Sequence, residues 1–365
     1  MEKRINIICN YSSIYAGNFI PSILNMCDNS NFEFIAFSFP EDAKERGWIK
    51  NIQSKGFNVF FYRKKYLKKD ILAINKKNKI SIVYAHFLSG LKIKFLYPFN
   101  HHVKLFIHIH SDFTGNQRIS FKRRIKRFIE NRFIRTDATY IYVSKPLFLE
   151  SKQKHKYCVT NALCLDRIFS KELDSKTFLS KYGINDQDTL FLLFAWSPYI
   201  KGLDLAVKSF INLPEDFQNR SKLVIVHGKD DGREKCIQFL NNQIGCKSYL
   251  DNKSIIFVAP EEDVFSLYGL ADVYVMASRS EGFSYSLLEA LYFDLKCIVN
   301  DINGCAWAKP YDNCLFFKTN NIDNLSELFK SCVGLKSKHC LNSQIIEQYN
   351  INKWSNSIKG ILENE

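Results

Sequence analysis

The residues whose types and spacing best suit chemistry lie in one short segment, Ser278-Arg-Ser-Glu281-Gly282-Phe-Ser-Tyr-Ser-Leu-Leu-Glu289. It follows a strand-like apolar run, Val273–Met276, and opens a stretch of helical period near Ser284. A strand, small polar residues with a glycine, and then a helix start together offer backbone N–H groups to a phosphate. Glu281 falls in the loop, where it faces a ligand, and Glu289 falls inside the helix. Carboxylates so placed can meet a sugar hydroxyl and a ribose. Equally, Glu281 can cap the helix while Glu289 stays solvated, and two isolated glutamates do not choose between these roles. A second set of groups sits in the first half of the chain. His108-Ile-His110-Ser-Asp112 closes a strand-like run, and strand alternation puts His108 and His110 on one face, so periodicity does not separate them. His86, in Tyr84-Ala-His86-Phe, closes another run and can face an acceptor or simply pack. No D-x-D stands at a strand end, and Asp230-Asp231 reads as a solvated Gly-rich turn. Cys332 and Cys340 beside His339 are three potential metal ligands on one helix-like tail, too little to define a site.

These groups need elements to hold them. Ile5–Cys9, Phe32–Phe39, Val59–Tyr62, Ile82–Ala85, Leu105–His110 and Thr139–Val143 read as strands, with helix candidates such as Phe19–Cys27 and Ala43–Lys55 between them. After a polar stretch near Ser170–Asp188 the pattern restarts. Leu190–Ala195, Leu223–His227, Ile255–Val258, Val273–Met276 and Lys296–Asn300 are strand-like, and 202–212, 232–243, 263–270 and 284–293 have helical spacing. Alternation of this kind predicts two doubly wound parallel α/β domains joined near 165–185. Such sheets bind ligands at the carboxyl ends of their strands, so a ligand shared by both would lie in a cleft.

Composition sets the outer limits. The 365 residues include 46% hydrophobic and 24% charged, which is globular rather than disordered. No apolar run approaches the roughly 18 residues of a membrane span, and Asn6 and Asn10 interrupt the N-terminal run, so it reads as a first strand rather than a signal peptide. Eleven cysteines without a C-x-x-C suit a reducing cytoplasm. The net charge of +14 is uneven: residues 1–175 carry 31 Lys/Arg against 14 Asp/Glu, and the remainder carries 20 against 23. Within 118–135, eight residues are basic and one is acidic, and Phe121, Ile125, Phe128, Ile129 and Phe133 recur at helical spacing. Arg63–Lys79 adds eight more basic residues. A basic amphipathic helix is the form expected on an anionic membrane surface. A solvated helix face is the plainer reading. Nucleic acid would call for stacking aromatics among the basic residues, whereas here the aromatics lie on the apolar stripe, so no nucleic-acid partner is expected.

The segment around Glu281 and Glu289 resembles the E-x7-E signature of retaining family-4 glycosyltransferases of the bacterial surface-polysaccharide type. Phe194-Ala-Trp-Ser-Pro-Tyr-Ile-Lys201-Gly202-Leu-Asp204 is similar to that family's loop ending in Lys-Gly and an acidic residue. Leu223–Gly228 resembles its strand ending in glycine. Asp263, Tyr268, Ala271 and Asp272 resemble its approach to the signature, and Asn161 and Phe169 its interdomain segment. The resemblance implies the GT-B fold, two Rossmann-like doubly wound domains facing across a cleft. It places an acceptor-binding domain at 1–170, a nucleotide-sugar-binding domain at 171–349 and a C-terminal helix, about 350–365, packing back on the first. It implies Glu281, His110 and Lys201 as catalytic residues: Glu281 and His110 on the donor sugar, Lys201 on the diphosphate. Gly17, Trp196, Gly202, Gly228, Arg279, Gly282, Phe283, Ser284 and Glu289 complete the donor site, with Glu289 on the ribose and no metal or other cofactor. Trp196 stands where the family usually has an arginine, so Arg279 is offered as its substitute, while Trp196 stacks on a ring or fills the wall. Asp294 and the Asn303-Gly304 turn are further candidates for the nucleotide pocket. The implied activity is transfer from a nucleotide-diphosphate sugar to a lipid-linked or glycan acceptor, with front-face retention. A cytoplasmic enzyme resting peripherally on the inner membrane face through 118–135 follows. A nucleotide-sugar epimerase or hydrolase, and a basic binding protein without catalysis, are the alternatives.

Overall fold

The computed structural model describes residues 2–13, 16–88, 102–111, 125, 137–165, 175–228, 231–244, 253–259, 265–338 and 340–365. Asp112, Phe169, Asp230, Asp263, His339 and, except for Ile125, the basic stretch 118–135 lie outside the described residues. The chain divides into two compact units, Met1–Cys164 with Tyr349–Glu365, and Leu165–Gln348.

The first unit holds a seven-stranded sheet in the order β3-β2-β1-β4-β5-β6-β7. Its strands are β1 (Arg4–Cys9), β2 (Phe34–Pro40), β3 (Asn58–Tyr62), β4 (Ile82–His86), β5 (Lys104–Ile109), β6 (Thr139–Tyr142) and β7 (Lys156–Cys158). Every neighbouring pair is parallel. A parallel strand covered on both faces reads as a nearly continuous apolar run, which is why β1, β4 and β5 stand out in the sequence. The polar exception in β1, Asn6, is fully buried. It accepts from Ser38 Oγ at 2.9 Å and donates to Asn75 Oδ1 at 2.6 Å, tying β1 to β2 and to the helix over Leu67–Lys77. Helices α1 (Phe19–Asp28), α2 (Gly47–Ser54) and α3 (Leu67–Lys77) connect the strands. The stretch expected as one helix over Ala43–Lys55 is broken: a 3₁₀ turn occupies Glu41–Ala43, and α2 starts only at Gly47. Strand β7, three residues at the sheet edge, has too short a pattern to be legible.

The second unit holds six strands in the order β10-β9-β8-β11-β12-β13. These are β8 (Thr189–Phe194), β9 (Ser221–Val226), β10 (Ile255–Val258), β11 (Val273–Met276), β12 (Lys296–Asn300) and β13 (Cys314–Phe317), again all parallel. Strands β8 and β9 are buried along their whole length, and helices α4 (Leu203–Ile211), α5 (Gly232–Ile244), α6 (Tyr285–Tyr292) and α7 (Ile322–Cys332) flank the sheet. Phe191, Phe210 and Phe329 pack edge to face within its core. The edge strand β13 is absent from the sequence reading. Asp272 anchors the amino end of this sheet, accepting from Leu190 N and Ser337 N at 2.9 Å each and from Lys336 Nζ at 3.2 Å.

In both sheets the strand order reverses once, between β1 and β4 and between β8 and β11. The loops leaving the carboxyl ends at such a reversal part company, and the opening between them is where α/β sheets bind ligands. Among the described residues no helix is long and apolar enough to cross a membrane, and the described cysteines form no disulfide.

The last helix, α8 (Ile351–Asn364), returns to the first unit and packs on α1. Ser355 Oγ donates to Asn25 Oδ1 at 2.6 Å, Lys359 Nζ to Asn29 O at 2.7 Å, and Ile358 is fully buried. Ile358→Ala should therefore cost about 2–5 kcal/mol through transfer and cavity terms. The expected readout is a lower urea midpoint for the transition of the first unit.

Candidate functional site

The switch point of the second sheet is closed by two loops, 195–202 after β8 and 277–284 after β11. Three hydrogen bonds join them. Lys201 Nζ donates to Glu281 Oε1 at 2.6 Å, both side chains being mostly buried. Arg279 N donates to Ile200 O at 2.7 Å, and Arg279 Nη1 to Tyr199 O at 2.8 Å. The Arg279 fork also grips Asp204 in bidentate fashion, at 2.8 and 2.7 Å. Planar guanidinium and carboxylate match in this geometry, which is why an arginine rather than a lysine serves here. The guanidinium lies 4.6 Å over the Tyr199 ring as well. Arg279 is thus held by Asp204 and Tyr199 in this structure.

Two glycines let the loops approach so closely. Gly202 has φ +65°, and a Cβ there would stand 2.0 Å from Ala277 O. At Gly304 a Cβ would stand 2.1 Å from Glu281 O. The loop carrying Glu281 is held between these two backbones. Asn300, at the end of β12, fixes its other side by donating Nδ2 to Ser278 O at 3.0 Å, and Thr319 Oγ1 in turn donates to Asn300 Oδ1 at 2.9 Å. In the sequence Asn300 reads only as the last residue of a strand. Its signal is a buried polar residue closing an apolar run. Phe283 is buried and stacks on Trp307 at 4.4 Å and 13°, another contact no sequence pattern announced.

Helix α6 starts at the end of this loop, capped by Ser284, whose Oγ accepts from Leu287 N at 3.3 Å. Gly282, Phe283 and Ser284 are the residues leading into the helix start, where the dipole favours an anion. Glu289 is buried on α6, so it is not a solvated helix residue. Tyr268 Oη donates to its Oε2 at 2.8 Å and to Ser286 O at 3.1 Å. Burial first, then the Glu289 charge, pushes the Tyr268 phenol well above its ordinary value, so it remains a donor. Trp196 lies against Phe194 at 5.1 Å and 15° and is 42% exposed, leaving ring surface in solvent. Gly228, two residues past the end of β9, sits beside the Trp196 backbone. Asp294 does not belong to this group. It occupies the turn from α6 into β12, at the amino end of the strand, where it accepts from Cys340 Sγ at 3.3 Å. Cys332 is buried in α7.

In the first unit, Gly17 lies in the loop from β1 to α1, and three histidines gather where β4 and β5 end. His86 is the register partner of His108, with His110 two residues further on the same face. His86 Nδ1 and His110 Nε2 are 2.9 Å apart, and His108 Nδ1 lies 2.6 Å from Tyr84 Oη. Burial drives all three below the ordinary histidine value, His108 down to about 3, and the neighbouring histidines push His86 and His110 down further. They are neutral imidazoles at neutral pH. Phe87 stacks on His110 at 4.1 Å, and Phe19 meets it edge-on at 5.2 Å.

Residues 174–340 match the family described as glycosyl transferases group 1. Both of the joined loops and all of α6 fall in that stretch. Among curated proteins, the chain is 25% identical over 222 residues to a Campylobacter jejuni N,N'-diacetylbacillosaminyl-diphospho-undecaprenol alpha-1,3-N-acetylgalactosaminyltransferase, covering 57% of this chain and 55% of that one. It is 30% identical over 116 residues to an Escherichia coli UDP-Gal:alpha-D-GlcNAc-diphosphoundecaprenol alpha-1,3-galactosyltransferase, covering 30% of each chain. The matched stretches therefore span about half of these relatives' length or less. Among solved structures, Anabaena HepE in complex with UDP and glucose superposes with a TM-score of 0.77 at 12% identity, over 100% of both chains. The fold is GT-B, built from two Rossmann-like units.

Two outcomes follow from this geometry. Gly304→Ala should destabilise the second unit by about 1–3 kcal/mol through the enforced contact with Glu281 O, seen as a lower urea midpoint. Gly360→Ala, where nothing lies within 4 Å, should leave the midpoint unchanged or raise it. The histidine cluster predicts acid sensitivity. Folded values lie below the unfolded value of about 6.5, so the stabilisation is complete above that pH and is lost progressively as pH falls from it toward the folded values. Each histidine then contributes up to about 1.4 kcal/mol per pH unit. Urea titrations between pH 7.5 and 5.5 should show this fall, and His108→Asn should reduce the slope by about one proton.

Proposed function

We propose that the protein is a retaining, metal-independent glycosyltransferase of the family-4 type. It moves a sugar from a nucleoside-diphosphate sugar to a lipid-linked or glycan acceptor in surface-polysaccharide assembly. The observation that carries this reading is the junction of Lys201 and Glu281 at the switch point, beside the start of α6 and a Glu289 oriented by Tyr268. The names of the C. jejuni and E. coli relatives point to the same acceptor class, a sugar diphosphate on an undecaprenol chain.

The donor's diphosphate rests at Gly282–Ser284, against the helix start, and Lys201 turns from Glu281 to the phosphate oxygens. Lys201 then stabilises the charge that develops on the leaving diphosphate. Glu281, released from its lysine, accepts from the sugar hydroxyls, and Glu289 accepts from the ribose. The exposed face of Trp196 stacks on a donor ring. His110, neutral, donates a hydrogen bond to the donor sugar. With no carboxylate assigned as nucleophile, the acceptor approaches on the face the diphosphate leaves, and its proton passes to a diphosphate oxygen. The basic stretches 118–135 and Arg63–Lys79 bring the acceptor-side unit to the anionic cytoplasmic leaflet.

The test is a panel of nucleoside-diphosphate sugars offered with and without a polyprenyl-diphosphate sugar, with EDTA present. Acceptor-dependent product of retained anomeric configuration is expected. Hydrolysis independent of acceptor, an inverted product, or loss of activity in EDTA would overturn the reading. Lys201→Ala should lower kcat/KM by on the order of 10²- to 10³-fold, the scale of losing one electrostatic contact to a developing anion.

A further inference from the structure

We infer that His86 is a positioning residue for His110, fixing which of its ring nitrogens presents a proton to substrate. The inference deepens the proposed reading and rests on His110 meeting the donor sugar. It starts from a hydrogen-bond account of the cluster. His86 Nδ1 and His110 Nε2 bond at 2.9 Å, so one carries the proton and the other accepts. His86 Nε2 is buried with no partner. Were the His86 proton on Nε2, it would be a buried N–H with nothing to receive it, the rarest kind of unmet group. With the proton on Nδ1, the 2.9 Å bond uses it, and only a lone pair goes unmet. The network thus assigns His86 as donor and His110 Nε2 as acceptor. A neutral His110 must then carry its own proton on Nδ1, and Nδ1–H is the donor it has left to offer. Stacking on Phe87 and His108 and the edge of Phe19 hold the ring plane, so the bond from His86 fixes the remaining variable, the tautomer.

One nitrogen from each of His86, His108 and His110 also falls within 4.8 Å of the others, a spacing that invites a metal ion. The ring arrangement argues otherwise. His108 and His110 stack with 21° between their planes, which sends their lone pairs side by side, whereas a tetrahedral ion needs them to converge. His86 Nδ1 and His110 Nε2 are moreover already spent on each other.

The experiment uses the full chain labelled with ¹⁵N-histidine, and long-range ¹H–¹⁵N spectra to read the tautomer of His110 directly. The expected result is an Nδ1–H tautomer in the wild type, its loss in His86→Leu, and its retention in His86→Asn, whose amide can donate from the place of Nδ1. Kinetically, His86→Leu should lower kcat/KM by ten- to a hundredfold, His86→Asn should recover most of it, and His86→Leu should add little on top of His110→Ala. An Nε2–H tautomer in the wild type, an unchanged tautomer in His86→Leu, or equal losses in the Leu and Asn variants would overturn the inference. So would stoichiometric Co²⁺ binding abolished by His86→Leu, which would make His86 a metal ligand. Absence of sugar transfer by the wild type would sink the functional reading, while the spectra alone would still decide the tautomer.

Discussion

The joining of the β8 and β11 loops is the constraint on which the second unit depends. A sheet that reverses its strand order leaves these loops diverging, and an opening between diverging loops has no fixed shape. Here Arg279 reaches back to Asp204 and Tyr199 while Lys201 reaches forward to Glu281, so each loop holds the other. The two pairs differ in kind. Arg279 and Asp204 make a fork-to-fork contact with little left to offer a ligand. Lys201 and Glu281 share a single short bond, and either can exchange its partner for a phosphate or a hydroxyl without unmaking the loop. A structural ion pair beside an exchangeable one gives a site that is rigid in backbone and responsive in charge.

The first unit places polar groups at its own switch point by other means. No ion pair holds His86, His108 or His110. They are desolvated and packed among Phe19, Phe87 and Tyr84, with one hydrogen bond between the rings of His86 and His110 and another between His108 and Tyr84. Burial that suppresses protonation makes these imidazoles fixed hydrogen-bonding groups rather than proton carriers near neutrality. The consequence is an asymmetric pair of surfaces, one ionic and one neutral, on two sheets of closely related topology.

Much of this was legible in the residues. Strands buried on both faces show as apolar runs, the order of strand, loop and helix locates Glu281 and Glu289, and the family resemblance points to Lys201. What escaped were features that depend on distant partners or on very short patterns. Arg279 reads as a free cation beside a signature, and only the fold brings Asp204 under it. Asp294, offered as a candidate for the nucleotide pocket, precedes β12 and stands at its amino end, away from the loops. His108 and His110 share a face, so only packing separates the fully buried ring, bonded to Tyr84, from the half-buried one. Asn300 and Trp307 act through tertiary contacts that periodicity cannot carry, and β7 and β13 are edge strands too short to announce themselves.

The two close glycine approaches also bear on how such a site can diversify. With Ala277 O against Gly202 and Glu281 O against Gly304, the backbone of the signature loop is hemmed in on both sides. An inserted residue has nowhere to go, and a shift of the loop toward either neighbour meets a carbonyl. Change in what the site accepts must therefore come by exchanging side chains at its rim, as at Trp196, while the path of the loop itself stays the same. The loop is a fixed frame, and variation is confined to what is hung on it.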